Sequence, residues 1–178
     1  MREIAPDKLV SGITRIDIRR DVEKNLRAEG GKINEIRMRE LGFNKQYYKE
    51  MDNSIELRVS EYKASGGKEF FLEFVNKDDI LFGLLRLRFS DGFMGSLKDA
   101  SLVREVHVYG KALSIGEEGK DGQHVGIGKK LMKEAERISK ENGFGKIAVI
   151  SGVGVRGYYR KLGYGLGGDG VYMVKGLS

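Results

Sequence analysis

Three consecutive apolar segments, each bounded by turn-forming residues, constrain the fold of this chain more than any other feature. They lie at Ile55–Tyr62, Glu69–Val75 and Ile80–Phe89. Ser65-Gly66-Gly67 separates the first two segments, and Asn76-Lys77-Asp78-Asp79 separates the second from the third. Both linkers are short and rich in residues that tight turns require. The spacing therefore predicts a three-stranded antiparallel meander.

After the meander, the sequence alternates between strand and helix patterns. Ser101–Tyr109 is predicted as a fourth strand, and a polar stretch at 110–122 leads into an amphipathic helix that ends at Asn142-Gly143. The remaining predicted elements are a strand at Lys146–Ser151, a helix at Val155–Leu162 and a strand at Val171–Lys175. We expect an α/β (α+β) fold with a mixed, mostly antiparallel sheet flanked by helices.

The first 52 residues have a different character, because they are rich in arginine and lysine and poor in core-forming side chains. Arg19–Glu29 is predicted as a short helix ended by Gly30-Gly31, and Asn44–Met51 as a second helix. We interpret 1–52 as a basic linker or arm and 53–178 as the folded domain.

The composition excludes several kinds of site. The chain has no cysteine, so it cannot form disulfides, thiolate metal sites or an iron–sulfur cluster by itself. With only two histidines, we expect no metal. The start of the chain has no signal-peptide pattern and no apolar run reaches the ~18 residues of a membrane span, so we expect a cytoplasmic protein without membrane contact. Abundant Lys, Glu and Gly are typical of a thermophilic, or archaeal, source.

The net charge of +6 lies entirely in the last third of the chain. Residues 1–122 carry 22 basic and 22 acidic side chains, whereas residues 123–178 carry 10 basic and 4 acidic ones. This excess fits either a solvated basic face or a surface for the phosphates of a cofactor or a nucleic acid.

A glycine-rich loop between the predicted fourth strand and the long helix is the first candidate site. A helix N-terminus offers unpaired N–H groups and partial positive charge to an anion. Gly126 and Gly128 would let a phosphate approach the backbone, and Lys129 and Lys130 are unfavourable at a helix start unless an anion binds nearby. An ordinary tight turn is the alternative. The predicted phosphate-binding residues are Gln123, His124, Val125, Gly126, Ile127, Gly128 and Lys129.

The fourth strand supplies the second candidate. Strand alternation predicts Val103, Glu105, His107 and Tyr109 on one face. Glu105 and His107 would be plausible proton acceptors if burial raised the pKa of the carboxylate. Alternatively, both side chains form hydrogen bonds within the sheet.

The third candidate is the helix near the C-terminus. Tyr158 and Tyr159 are adjacent, so only one can face a given site, and either could be an ordinary core residue. Arg156, Arg160 and Lys161 are either solvated charges or nucleic-acid contacts.

Several long motifs, taken together, resemble one known family. The spacing Gln-x-x-Gly-x-Gly at 123–128 is similar to motif A of the GNAT acyltransferases. The segments 36–42, 62–69, 85–88, 101–110, 150–164 and 171–175 resemble the C-terminal acyltransferase domain of the Elongator catalytic subunit and its preceding linker. The resemblance covers nearly the whole chain.

This resemblance implies a GNAT fold that binds acetyl-CoA and acts in carboxymethyl-type modification of the wobble uridine of tRNA. It implies that Gln123, Gly126 and Gly128 bind the CoA pyrophosphate and that Tyr158 and Tyr159 lie beside the thioester. In that position a phenol could protonate the leaving thiolate. Glu105 matches the position of a general base in many GNAT enzymes, and His124 would lie near the acyl group.

The chain departs from the family at two points. The radical-SAM domain, which would carry S-adenosylmethionine and the iron–sulfur cluster, is missing, and the arm has no zinc-binding cysteines. Implied partners are acetyl-CoA, tRNA, and a radical-SAM domain or other Elongator-type chains. Two other functions stay open: N-acetylation of a protein lysine or small amine, and a non-catalytic binding module.

Overall fold

The computed structural model describes residues 18–31, 35–44, 54–90, 95–109 and 126–177. The chain divides into two compact units, of which the first ends at Arg39 and the second begins at Glu40. The predicted boundary between residues 52 and 53 lies outside the described residues, as does the predicted second helix apart from Asn44.

The first unit contains α1 (Ile18–Ala28) and α2 (Ile36–Arg39). The helix α1 confirms the helix predicted at Arg19–Glu29. It ends where Gly30 allows the backbone to take a left-handed conformation. Gly30 has a φ of 72°, a left-handed conformation that other residues adopt at a cost. The next residue, Gly31, donates its N–H to the carbonyl of Leu26 at 2.8 Å. This pairing satisfies one of the free carbonyls at the helix end.

The second unit is built on a seven-stranded sheet with the order β1-β2-β3-β4-β5-β7-β6. In chain order its elements are α3 (Leu41–Asn44), β1 (Glu56–Ala64), β2 (Gly67–Val75), β3 (Leu81–Phe89), β4 (Ala100–Val108), α4 (Ile127–Glu141), β5 (Lys146–Ile150), α5 (Arg156–Lys161), β6 (Gly165–Leu166) and β7 (Tyr172–Gly176). Among the strand pairs that the structure describes in this sheet, β4–β5 alone is parallel. The predicted mixed, mostly antiparallel sheet with flanking helices is confirmed.

The meander β1–β2–β3 forms where the turn residues predict it. Ser65 and Gly66 both have positive φ angles, 46° and 71°, as a two-residue hairpin turn requires. At the second turn, the side-chain oxygen of Asn76 accepts hydrogen bonds from the N–H groups of Asp78 and Ile80, both at 3.0 Å. Local side-chain pairing of this kind stabilises the reversal of the chain.

The helix α4 packs on one face of the sheet, and Gly83 in β3 allows it to come close. A Cβ atom at Gly83 would lie 2.8 Å from Cγ2 of Ile127, the first residue of α4. The predicted apolar stripe of α4 is buried. The core beneath it includes Phe70, Leu72, Leu85, Leu87, Val103, Leu131, Met132, Ala135 and Ile138.

A β-bulge at Arg104 corrects the predicted alternation of β4. Leu87 pairs with Val103 whereas Arg86 pairs with Glu105, so one residue of β4 has no partner position on β3. Val103 therefore faces the α4 side and is fully buried, while Glu105 and His107 project from the opposite face. Strand alternation cannot reveal an inserted residue, because each bulge shifts every later side chain to the other face.

Strands β4 and β5 separate after a short parallel ladder. Their pairing runs from Ala100–Lys146 to Val103–Val149, and β4 then continues to Val108. Within the described residues, this last part of β4 has no strand partner on the edge that faced β5. We use the word notch for this position, where β4 runs on beyond its ladder with β5.

Among the described residues, none of the helices is both long and apolar enough to cross a membrane.

Candidate functional site at the start of α4

The N-terminus of α4 presents backbone groups rather than side chains. Gly126 is the N-cap with φ 84°, and no side chain of the described residues caps the helix. The carbonyl of Gly126 accepts the first helical hydrogen bond, from the N–H of Lys130 at 2.9 Å. The N–H groups of the first turn have no acceptor within the helix. Groups of this kind can bind an anion, which is the role that the sequence predicts for this loop.

The two glycines of the predicted loop serve different purposes. At Gly126, a Cβ atom would meet nothing within 4 Å, but its positive φ favours glycine. At Gly128, a Cβ atom would lie 3.0 Å from the hydroxyl of Tyr158 and 3.5 Å from Cγ2 of Val108. Glycine at position 128 therefore leaves room for the tyrosine hydroxyl to lie this close.

Three elements converge at Gly128. The start of α4 contributes Gly128, the end of β4 contributes Val108, and α5 contributes Tyr158. Val108 belongs to the part of β4 that runs beyond the ladder with β5. The Tyr158 hydroxyl thus lies beside the first turn of α4, at the notch between the separated strands.

The adjacent tyrosines have different surroundings. Tyr159 is 5% exposed and belongs to the hydrophobic core, where its ring contacts those of Tyr158 and Tyr164 edge-on at centroid distances of 5.2 and 5.9 Å. Of the two tyrosines, Tyr158 is the one that lies beside Gly128. Burial, with a smaller effect of Tyr159, raises the pKa of Tyr158, and burial likewise raises the pKa of Tyr159. Both phenols are therefore protonated at neutral pH.

A cluster of polar side chains that the sequence analysis did not identify ties the chain after α5 to α4. The hydroxyl of Tyr164 donates to Glu136 at 2.9 Å, and the Nζ of Lys175 donates to the other carboxylate oxygen at 2.8 Å. Tyr164 is 2% exposed, and burial raises the pKa of its phenol. A signal was present in the sequence: Glu136 lies between Ala135 and Ile138, next to the apolar stripe of α4.

Glu105 and His107 differ from the prediction in their burial. We expected a buried pair, yet Glu105 is 38% exposed and His107 is 58% exposed. The carboxylate is 3.5 Å from Nε2 of His107 and 3.8 Å from Arg86. Glu105 thus faces a cation and water on the sheet face opposite α4.

The predicted basic residues on α5 are of two kinds. Arg156 donates from Nη2 to the carbonyl of Gly170 at 2.8 Å and so ties α5 to the turn before β7. Arg160 and Lys161 are exposed. Gln123, His124 and Val125 lie outside the described residues. The described part of the chain contains no group of three or more His, Asp or Glu side chains arranged to hold a metal ion.

The chain is similar to known proteins over nearly its whole length. No protein-family model matches the chain. The chain is 44% identical to Elongator complex protein 3 of Schizosaccharomyces pombe and 42% identical to that of Homo sapiens. Each alignment covers 99% of this chain. The chain is homologous to one third of Elongator complex protein 3. The resemblance predicted from the sequence motifs is confirmed.

A solved structure of this homologue supports the same conclusion. The Elp3 of the archaeon Methanocaldococcus infernus, with residues 1–46 deleted, shares 40% identity with 98% of this chain, at a TM-score of 0.75. The match covers 42% of that archaeal chain. The chain spans about a third of the length of the curated Elongator relatives it matches.

Proposed function

We propose that this chain is an acetyl-CoA-binding acyltransferase or hydrolase domain of the GNAT type, linked to carboxymethyl-type modification of the wobble uridine of tRNA. The observation that carries the proposal is the position of the Tyr158 hydroxyl beside Gly128, at the first turn of α4 and at the notch between β4 and β5. The homology to Elongator complex protein 3 supports the tRNA part.

The residues at the start of α4 fit the pyrophosphate of acetyl-CoA. A Cβ atom at Gly126 would meet no described atom within 4 Å, and the first-turn N–H groups have no capping side chain among the described residues. The N–H groups of Ile127, Gly128 and Lys129 would hold the phosphates, and the exposed Lys129 side chain would add positive charge. We propose the same contact for Gln123, His124 and Val125. Bound acetyl-CoA would supply the activated acyl group.

Tyr158 is the candidate general acid. Its phenol is protonated at neutral pH, and burial raises its pKa further, so Oη holds a proton that a leaving thiolate could take. Tyr159, buried behind Tyr158, would position that ring. Glu105 and His107 lie on the opposite face of the sheet, where they would accept a proton from the acceptor as it approaches the notch.

The partner we propose is tRNA, with a radical-SAM domain that would supply the S-adenosylmethionine and iron–sulfur chemistry. The excess of basic residues after position 122 supports a phosphate-binding surface. The exposed Arg160 and Lys161 would contribute to it, whereas Arg156 would mainly hold α5 in place. The cytoplasmic location stays a prediction of the sequence.

The test is the rate of acetyl-CoA hydrolysis, with and without tRNA, at low and high salt. We expect tRNA to stimulate hydrolysis and high salt to remove the stimulation. Tyr158→Phe should lower kcat by about 10²-fold or more if the phenol supplies a proton. The matched control is Tyr172→Phe on β7, which packs against Leu97, Ala100 and Ala148, in a different cluster from Tyr158, and should leave the rate unchanged.

Three results would contradict the proposal. Transfer of acetyl groups to a lysine peptide without any response to tRNA would favour an ordinary N-acetyltransferase. Binding of acetyl-CoA with no turnover by the wild type would favour a non-catalytic module. Equal kcat values for Tyr158→Phe and Tyr172→Phe would remove Tyr158 from the chemistry.

A further inference from the structure

The sheet face opposite α4 carries an arginine cluster, which we define as Arg86, Arg88 and Arg104 around Glu69. Glu69 lies on β2 and is 1% exposed. Arg88 donates to its Oε1 at 2.9 Å, Arg86 donates to its Oε2 at 3.3 Å, and Arg104 donates to Oε1 through a short hydrogen bond. The hydroxyl of Tyr62 on β1 adds a fourth donor at 3.0 Å. Four strands thus meet at one carboxylate.

The hydrogen-bonding capacity of Glu69 is used up within the cluster. A carboxylate offers about four lone-pair sites, and here each oxygen already accepts two hydrogen bonds. The negative charge is buried, while the side chains of Arg104 and Arg86 are 44% and 33% exposed. The surface that solvent meets is therefore made of guanidinium groups.

The guanidinium groups retain donors for an external ligand. Each offers five N–H donors. Among the described residues, Arg104 has a single hydrogen-bond acceptor, an oxygen of Glu69. Arg86 pairs with the other oxygen of that carboxylate, with the Tyr62 hydroxyl and, at 3.8 Å, with Glu105. Within the cluster, counted together with Glu105, there are three arginines and two glutamates, an excess of one positive charge. Farther along the same face, Arg58 is paired with Glu73. Planar guanidinium donors of this kind match phosphate oxygens in pairs.

The bulge gives Arg104 this position. Without it, Arg104 would alternate with Glu105 and point to the α4 side of the sheet. With it, Arg104 and Glu105 project from the same face, since Arg104 reaches Glu69 and Glu105 contacts Arg86. Bulges commonly redirect a side chain beside a functional site. This bulge lies just beyond Val103, where β4 separates from β5.

The surroundings of the cluster favour a nucleic acid over a protein lysine. Tyr62 is 39% exposed and the His107 side chain is 58% exposed, so flat rings accompany the cationic groups on this face. The rings of His107 and Tyr109 are stacked with a centroid distance of 6.1 Å. Exposed rings beside arginines suit the bases and phosphates of a single-stranded nucleic acid segment. An ammonium group would instead meet repulsion from Arg86 and Arg104.

We propose that Arg104 and Arg86 bind phosphates of the RNA acceptor and bring it to the notch from the sheet face opposite α4. This inference rests on the proposed function and deepens it by naming the RNA-binding surface. The acyl donor would then occupy the α4 side and the acceptor the arginine side. Glu105 and His107 lie next to Arg86 on the acceptor side.

The experiment measures binding of a fluorescently labelled tRNA to the whole chain over a series of salt concentrations. For the Arg86→Gln/Arg104→Gln double variant, we expect affinity to fall on the order of tenfold or more, because charge-assisted hydrogen bonds are lost. The slope of log K against log salt should fall by about 0.7–0.9 for each phosphate contact removed. The matched control is Arg137→Gln on α4, which is 54% exposed and paired with Glu134 and Glu141.

A charge-preserving variant separates RNA binding from folding. Arg104→Lys keeps the positive charge but loses the planar donors, so its salt slope should stay close to that of the wild type while its affinity falls less than that of the double variant. Circular dichroism of each variant reports whether the sheet is intact. A folded double variant with wild-type affinity and slope would overturn the inference.

Other outcomes distinguish this inference from the proposed function. If Arg160→Gln/Lys161→Gln abolishes binding and the Arg86/Arg104 variant binds normally, the RNA contacts α5 and the inference alone fails. If the wild-type chain does not bind tRNA, the inference fails together with the tRNA part of the proposed function. Hydrolysis of acetyl-CoA without tRNA then still tests the acyltransferase part.

Discussion

Replacement of Glu69 by glutamine tests how much the ion pairs and hydrogen bonds of this buried carboxylate, which link the meander to β4, stabilise the fold. Burial by itself would raise the pKa of this carboxyl, but hydrogen bonds from Arg88, Arg104 and Tyr62 outweigh it and lower the pKa from 4.5 to about 2. A difference of that size corresponds to about 3 kcal/mol of stability from this one group. The carboxylate is 1% exposed, so solvent screens little of this interaction.

The direction of the pH dependence follows from the lowered pKa. The stabilisation is fully present above the unfolded value of 4.5 and is lost as the pH falls through about 2. Of the ~3 kcal/mol, about 2 should be gone at pH 3. At neutral pH, Glu69→Gln leaves three arginines without their counter-charge and should destabilise the fold by about 3–5 kcal/mol. The difference in the free energy of unfolding between wild type and variant should therefore become smaller as the pH is lowered.

Urea unfolding followed by circular dichroism at pH 7 and pH 3 measures the loss of stability in the variant and its change with pH. The control is Glu61→Gln on β1, where the carboxylate is 53% exposed and pairs with Lys68 at 2.8 Å. An exposed pair of this kind should change stability by less than about 1 kcal/mol at either pH. A Glu69→Gln deficit that is the same at both pH values would refute the electrostatic reasoning.

Three further substitutions test the fold around the site, each by chemical denaturation. Gly126→Ala should lose about 1–2 kcal/mol because alanine is strained at a φ of 84°, and no loss would mean that the loop does not need this conformation. Gly83→Ala should lose about 1–3 kcal/mol, since its Cβ would press on Ile127 at 2.8 Å; wild-type stability would contradict this close approach of α4. Tyr164→Phe removes the 2.9 Å hydrogen bond to Glu136 and should lose about 1 kcal/mol, whereas an unchanged midpoint would show that Lys175 alone satisfies the carboxylate.

Much of the fold follows from local sequence signals, because tight turns and apolar periodicity are local properties. Ser65-Gly66 and Asn76 predict the meander, and the glycine at 143, with a φ of 84°, ends α4 where expected. Strand β6 has only two residues and no periodicity, so nothing in its sequence indicates it. The bulge at Arg104 also has no local signal, because the extra residue appears only when β4 is paired with β3.

The candidate site was predictable in part. The spacing of Gly126 and Gly128 points to the start of α4, but the sequence cannot tell which adjacent tyrosine reaches it. That choice depends on how α5 rotates against the core, which the structure resolves in favour of Tyr158. The burial of Glu69 was also invisible, since a glutamate among apolar residues in β2 looks like an exposed position until three arginines from neighbouring strands surround it.

The short parallel ladder between β4 and β5 has a consequence for the order in which the domain assembles. Strands β1 to β4 pair with their neighbours in sequence, so little chain entropy is lost in bringing them together. The four residue pairs of β4 with β5 instead require closure of a long connection that includes α4. We expect the meander to form in the folding transition state and the ladder afterwards. Leu85→Ala should then slow refolding, whereas Val149→Ala should mainly speed unfolding, and the reverse pattern in a chevron plot would exclude this order.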